Sequence, residues 1–300
     1  MLGDQLNHAV VRRLAPRRVL LIEAYELGRT PPMHPQKLVL FFSAMRHFAQ
    51  EMRQRGLEVT YLQAETLKEA LARFFHGQPG ETLVQMQPSD YGFAERARAL
   101  VEGLGGVYRR VPNRLWFLQP EEFDRWAADR TTYRLEHFYR FMRRRTGYLM
   151  QKGRPLGGAW NYDAENRETP PPGYQPELPL RFAPDELTQQ AIQTVQERFT
   201  GHFGALAGFD WPVTRQGALQ ALEDFVQHRL AQFGPYQDAL LEQSWSINHS
   251  LLSPVLNLGL LHPKEVAERA LAEYEKGGIP LSSIEGFIRQ VIGWREYIFH

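Results

Sequence analysis

The sequence contains no cysteine, which excludes disulfides, thiolate metal sites and cysteine nucleophiles. No apolar run approaches the roughly 20 residues of a membrane-spanning helix, and no cleavable signal pattern opens the chain. Those two absences predict a cytoplasmic protein with no membrane partner. A Gly-x-Gly-x-x-Gly string and a phosphate-cradling Gly-Lys-Ser are both missing, so a dinucleotide dehydrogenase or P-loop reading lacks its motif. So is a Gly-x-Ser-x-Gly elbow, which leaves hydrolase chemistry without an obvious nucleophile. None of the ten histidines stands at convincing ligand spacing, and no metal site is expected.

What is present suits an ordinary globular chain: 300 residues, 43% apolar, 23% charged and 12% aromatic. That length is enough for two domains. The formal net charge of +1 hides an asymmetry. Residues 1–150 hold 23 Lys and Arg against 16 Asp and Glu, or +7, and residues 151–300 hold 12 against 18, or −6. A basic half can attract phosphate backbones, although solvated helix faces produce the same bias.

Short β-branched runs alternate with helical patterns in the first part. Arg18–Glu23, Glu58–Leu62, Thr82–Met86 and Gly106–Val111 have strand length, and Pro35–Arg55, Thr66–Phe75 and Tyr91–Leu104 read as helices. This alternation predicts a parallel α/β sheet with helices on both faces. From about Pro120 the strand signal ends, and helices are expected at Thr131–Met150, Asp185–Phe199, Thr214–Leu230, Pro263–Glu275 and Ser282–Phe299. In the Thr214 helix, Leu219, Leu222, Phe225, Val226 and Leu230 form one apolar stripe. Gly157–Pro179 is rich in Gly, Pro and Asn and reads as a long connection. The expected order is therefore an α/β domain over 1–125, a helical and loop connection over 126–180, and an all-α domain over 181–300. Both ends read as cut. The Gly3-Asp4-Gln5 turn is expected to follow a buried strand, of which only Met1 and Leu2 remain, and the Ser282 helix reaches His300 without a stop signal.

Four constellations carry candidate chemistry. In Asn248-His-Ser-Leu-Leu-Ser253, hydroxyls and free N–H groups at a helix start could hold a pyrophosphate, or simply cap the helix. In the Ser282 helix, Ile284, Phe287, Ile288, Val291 and Ile292 make a buried face, with Glu285, Arg289 and Glu296 away from it. Ser282-x-x-Glu285 reads as a capping box and Glu285–Arg289 as an intrahelical ion pair, while Trp294 has the look of core packing. The run Tyr133 to Tyr148 interleaves aromatics with Arg140, Arg143, Arg144 and Arg145, which suits phosphate contacts or a solvated basic face. Leu2-Gly-Asp-Gln-Leu6 sits where open α/β sheets bind ligands, or is a plain strand-to-helix turn.

These stretches, in order, resemble a known family: the bacterial iron–sulfur photolyase-related proteins, that is, the prokaryotic (6-4) photolyases and their cryptochrome-like relatives. The likeness rests on Leu2–Leu6, Ser43-Ala-Met-Arg-His-Phe48, Trp160-Asn-Tyr-Asp-Ala-Glu-Asn-Arg167, His249-Ser-Leu-Leu-Ser253 and Glu285 through Tyr297 with its Trp-Arg-Glu-Tyr tetrad. The resemblance implies a Rossmann-like antenna domain followed by a helical FAD domain whose distal part is absent. By position, Tyr236, His249, Ser250, Leu251, Leu252 and Ser253 would contact FAD, with Glu285, Arg289 and Trp294 along the flavin side. Gly3, Asp4, Gln5 and Glu23 would meet a ribityl-lumazine antenna chromophore. Arg143, Arg144, Arg145, Trp160, Asn161 and Arg167 would face DNA.

The implied reaction is light-driven repair, in which reduced FAD passes an electron to an ultraviolet pyrimidine photoproduct of the (6-4) type. The implied partner is damaged DNA and the implied state a monomer. A 4Fe-4S cluster is impossible here, because a chain without cysteine has no ligands for it. The chain is expected to be incomplete for catalysis and to retain FAD poorly, with no catalytic residue of its own. Two other readings compete. One is a cryptochrome-like blue-light sensor or truncated non-catalytic relative, which keeps the antenna site. The other is a colourless nucleotide-binding α/β protein with a helical dimerisation domain.

Overall fold

A computed structural model of the protein describes residues 3–300, so Met1 and Leu2, the latter part of the Leu2–Leu6 string, lie outside the described residues. The chain divides into two units interleaved along the sequence. One gathers residues up to Asn113 with Arg181–Ala218 and Asn257–Leu260; the other gathers Arg114–Leu180, Leu219–Leu256 and Leu261–His300.

The first unit begins with α1 (His8–Leu14), whose N-cap Asn7 accepts from the N–H groups of Ala9 and Val10. Then come β1 (Arg18–Ala24), α2 (Glu26–Arg29), α3 (Pro35–Gln54), β2 (Glu58–Ala64), α4 (Leu67–Phe75), β3 (Thr82–Met86), α5 (Phe93–Gly103) and β4 (Val107–Val111). Thr66 caps α4 by accepting from Glu69 N–H, so the helix starts where a side-chain oxygen replaces the missing backbone acceptor. β1 pairs with β2 in parallel from Arg18↔Glu58 to Ala24↔Ala64, and β3 with β4 from Thr82↔Val107 to Met86↔Val111.

The expected single sheet is thus, among the described residues, two separate two-stranded parallel ladders. An apolar hollow of about 280 Å³ is lined by residues of both ladders, Val19, Leu20 and Ile22 of β1 and Leu83 and Val84 of β3, and by Leu14 of α1.

In chain order the second unit's first elements follow: α6 (Pro120–Ala127), α7 (Leu135–Thr146) and a short antiparallel hairpin, β5 (Met150–Gln151) and β6 (Arg154–Pro155). The helix expected to run to Met150 ends earlier, because Gly147 takes a left-handed conformation (φ 77) that closes it. α8 (Glu186–Arg198) returns to the first unit and packs on α3, with Ser43 Oγ 2.8 Å from Thr188 Oγ1. Its N-cap Asp185 accepts from Thr188 N–H at 3.0 Å and lies 2.7 Å from His47 Nε2.

The remaining helices are α9 (Arg215–His228), α10 (Leu230–Phe233), α11 (Ser253–Leu258), α12 (Pro263–Glu275), α13 (Leu281–Ile288), a π-helical turn (Arg289–Trp294) and α14 (Arg295–Phe299). In α9 the apolar stripe buries Leu222, Phe225 and Val226 but leaves Leu219 42% exposed. The Ser282–Phe299 helix expected from the sequence is continuous in direction but contains the π turn, a feature frequent at functional sites. Phe225, Phe233 and Phe287 pack ring to ring at 4.8 to 6.1 Å and form the centre of this unit's core. No helix of the described residues is long and apolar enough to cross a membrane.

Candidate functional site

The Asn248–Ser253 segment is held in an unusual backbone. Ile247 (φ 43) and Leu251 (φ 56) bracket it in the left-handed region, which a β-branched residue such as isoleucine strongly disfavours. Such conformations cost on the order of 1–3 kcal/mol each and collect at functional sites. Side-chain bonds stabilise the shape: Asn248 Nδ2 donates to Tyr174 Oη at 2.8 Å and to Gln232 O at 3.3 Å. The Tyr174 ring lies 4.8 Å from that of Tyr236, and the His249 ring meets the edge of Phe233 at 5.7 Å. Burial pushes the His249 pKa down, keeping the imidazole neutral. Ser250 Oγ accepts from Leu252 N–H at 3.4 Å, Leu252 is buried, and Ser253 opens the six-residue α11 with its side chain exposed.

In the same unit, α13 has all but one of its residues buried. The expected capping box does not form. The helix begins at Leu281 after an N-cap Pro280, so Ser282 already lies inside the first turn. Glu285 instead accepts from Tyr162 N–H at 3.0 Å. Glu285, Arg289 and Glu296, expected off the buried face, are themselves buried, because residues 117–118 and 162–163 cover the helix's other side. Burial raises the Glu285 pKa, although neighbouring Arg289, with Nε at 3.4 Å, opposes the rise. Arg289 also reaches Asp163 Oδ1 at 2.9 Å. Burial alone would push Asp163 up, but Arg289 and Arg167 hold it below the usual carboxylate range. Trp294, at the end of the π turn, is 43% exposed and so is not simple core packing.

The 231–237 segment, whose Phe233 lies between His249 and Phe287, packs on α13. Gly234 N–H donates to Ser283 Oγ at 3.1 Å, and that hydroxyl donates to Ala231 O at 2.7 Å. A Cβ on Gly286 would stand 2.9 Å from Asn166 Nδ2 and 3.0 Å from Gln237 Oε1. Asn166 Nδ2 donates to Ser282 O at 3.0 Å. Its Oδ1 and the Oε1 of Gln237 are buried without a hydrogen-bond partner among the described residues. Buried acceptors are nearly always satisfied, so these two oxygens, packed closely around Gly286, stand out as exceptions. Gln237 was not singled out in the sequence; its only signal is its place beside Tyr236.

The basic run separates into different roles. Arg143 is fully buried and donates to the carbonyls of Tyr148, Leu149, Ala159 and Trp160, so its guanidinium is out of reach of a phosphate. Arg145 pairs with Glu122 at 2.6 Å and Arg167 with Asp163 at 2.5 Å. Asn161 Nδ2 donates to Glu136 at 2.9 Å. Arg144 is exposed, with its guanidinium 4.7 Å from the Trp160 ring centre.

In the first unit, the residues expected around an antenna pigment lie at the carboxyl ends of parallel strands, where such sheets take ligands. Gln5 Nε2 donates to Met86 O at the end of β3 at 2.8 Å. Gly3 packs so closely on Phe41 that a Cβ would overlap the ring. Asp4 is buried, with Oδ1 lacking a partner among the described residues, and burial raises its pKa. Glu23, near the end of β1, accepts from Arg46 at 2.8 and 2.9 Å, from Gln63 at 2.8 Å and from Tyr61 Oη. Asp4 is not among its partners. Burial would lower the Arg46 pKa, but the Glu23 carboxylate outweighs it and the net shift is upward.

The protein family described as deoxyribodipyrimidine photo-lyase-related protein matches residues 1–211. The chain belongs to that family. A (6-4) photolyase of Agrobacterium fabrum is 38% identical over 311 aligned positions, covering 99% of this chain and 61% of the relative. The chain therefore spans about three-fifths of that photolyase. An uncharacterised protein of Acanthamoeba polyphaga mimivirus is 40% identical over 63 residues, 21% of this chain and 48% of the viral one. Among the described residues of this photolyase-related protein, no group of three His, Asp or Glu side chains is placed to hold a metal ion, and the sequence has no cysteine for an iron–sulfur cluster.

Proposed function

We propose that this photolyase-related chain carries the antenna domain and the first part of the FAD domain of a light-driven DNA-repair flavoprotein acting on a (6-4) pyrimidine photoproduct. The observation that carries the reading is the strained Ile247–Leu251 segment, in the same unit as the partnerless Asn166 Oδ1 and Gln237 Oε1. Strained backbone collects at functional sites, and the two partnerless oxygens would accept from a ring system bearing N–H groups. When bound, reduced FAD would supply the light-driven electron that rearranges the photoproduct.

The chain's own residues bind and orient. Tyr236, His249, Ser250, Leu251, Leu252 and Ser253 would border the cofactor's phosphate and ribityl side. Glu285 and Arg289, held by Tyr162 and Asp163, would fix the flavin side, and Trp294 would offer an exposed aromatic edge. Arg144 and Trp160 would meet DNA, with Asn161, Arg145 and Arg167 behind them in ion-paired or hydrogen-bonded positions. In the first unit Gly3, Asp4, Gln5 and Glu23 would stand near a ribityl-lumazine antenna. An extruded base would enter beside the cofactor, and the cofactor rather than a protein nucleophile would do the chemistry.

Titrating FAD into the purified 300-residue chain tests the reading. Saturable quenching of flavin fluorescence, weakened in Gln237→Leu, supports it. Unchanged flavin fluorescence at every protein concentration rules it out for these residues.

A further inference from the structure

The hairpin β5–β6 is too short to add to any core, yet it is built with care. Its two turn residues, Lys152 (φ 49) and Gly153 (φ 76), are both left-handed, the two-residue turn in which Asn-Gly or Gly-Gly is preferred. A lysine there costs about 1–2 kcal/mol against glycine, so a charge is being held at the tip against backbone preference. Lys152 and Arg154 are exposed and have no carboxylate partner among the described residues. Other cations of this unit are paired. Arg140, Arg145, Arg167, Arg269 and Lys276 all face Asp or Glu.

The stem is rigid. Buried Arg143 donates both to Leu149 O at the base of the hairpin and to Trp160 O at 2.9 Å, and Leu156 N–H closes on Leu149 O at 2.8 Å. One guanidinium therefore locks the hairpin to the loop that presents Trp160, and Arg144 covers that ring. Unpaired cations on a fixed scaffold beside an aromatic face suit a polyanionic backbone.

We propose that the 150–155 hairpin is a phosphate-binding finger for duplex DNA, with Lys152 and Arg154 as its two contacts and Arg143 as the positioning residue behind it. This rests on the reading that the chain binds DNA. The finger touches the backbone alone, so its contribution is independent of sequence and of damage.

The test is anisotropy of a labelled, undamaged duplex with the 300-residue chain between about 50 and about 200 mM salt. The variant Lys152→Gly/Arg154→Gln keeps the turn, since glycine relieves the tip, and its thermal melting is expected to match or exceed the parent's. Removing two phosphate contacts should flatten the slope of log K against log salt by about 1.8. Lys276→Ala, whose cation is already paired with Glu273 at 3.0 Å, should leave the slope unchanged. Equal slopes for parent and hairpin variant overturn the finger while leaving DNA binding intact. An equal loss in Lys276→Ala overturns it too, since the effect would then be one of net charge. A parent chain that fails to bind duplex DNA overturns both the finger and the reading beneath it.

Discussion

Arg289 and Asp163 are joined across 126 positions of sequence by a 2.9 Å ion pair, and the same guanidinium stands 3.4 Å from Glu285. The π turn and the Trp160–Arg167 loop are thereby locked to one another. Removing Arg289 strands the fully buried Glu285, while Asp163 keeps Arg167; removing the Asp163 charge leaves Arg289 its second partner. Losing one member of a buried pair costs about 3–5 kcal/mol. Arg289→Met is therefore expected to lower unfolding stability by about 3 kcal/mol and Asp163→Asn by clearly less, measured as urea midpoints.

Glu296 accepts from the N–H groups of Phe117 and Leu118 at 2.9 and 3.2 Å, and burial pushes its pKa up to about 7. Between the ordinary carboxyl value and 7, the folded chain thus holds a proton that the unfolded chain has released. Its contribution to stability is complete below the ordinary value and declines as pH rises toward 7. At about 1.4 kcal/mol per unit the loss approaches roughly 3 kcal/mol. Glu296→Gln should show none of this decline relative to the parent. Parallel stability curves for the two proteins from pH 4 to 7 would sink the assignment.

Gly234 and Gly286 separate packing from binding. A Cβ on Gly234 would come 2.6 Å from Ser283 Cα, a backbone atom that cannot yield. Gly234→Ala is expected to cost about 2–3 kcal/mol, the range for overpacking. On Gly286 the obstacles are ends of flexible side chains, Asn166 and Gln237. Gly286→Ala should leave the melting temperature within a few degrees of the parent and still weaken flavin quenching several-fold.

Glu23 accepts four hydrogen bonds from three side chains, and burial with the adjacent carboxylate pushes the Tyr61 pKa well up. Glu23→Ala leaves Arg46 buried without its counter-ion and is expected to destabilise the chain by about 3 kcal/mol or more. Stability within 1 kcal/mol of the parent would show that the carboxylate is not needed for folding.

The elements most legible in the sequence were those with both a period and a punctuation mark. Thr82–Met86 and Pro263–Glu275 begin and end where their patterns do, and Thr66 and Asp185, expected as the first residues of their helices, are the N-caps one position before them. Interactions between distant residues were not legible. Glu285 reads as a capping-box partner because local spacing says nothing of Tyr162, which takes its carboxylate. Arg143 is indistinguishable in sequence from Arg144, yet one is sealed among carbonyls and the other lies open. The hairpin after α7 was hidden because Met150-Gln-Lys-Gly-Arg-Pro155 lacks the Asn-Gly turn that announces such a bend. Gln237 belongs to no recognisable string, and only the packing against Gly286 brings it to notice.

The π turn at Arg289–Trp294 works as a phase shifter. A wider loop of backbone absorbs one surplus residue, and each residue of an ordinary helix turns the chain by about 100°. Forced into regular α-helix with every residue retained, the segment would swing everything beyond it by that angle. Glu296 would leave the amides of Phe117 and Leu118, and Arg295 would leave the face of Trp116, 3.6 Å away. The orientation of the chain's last turn is thus set by a single inserted residue.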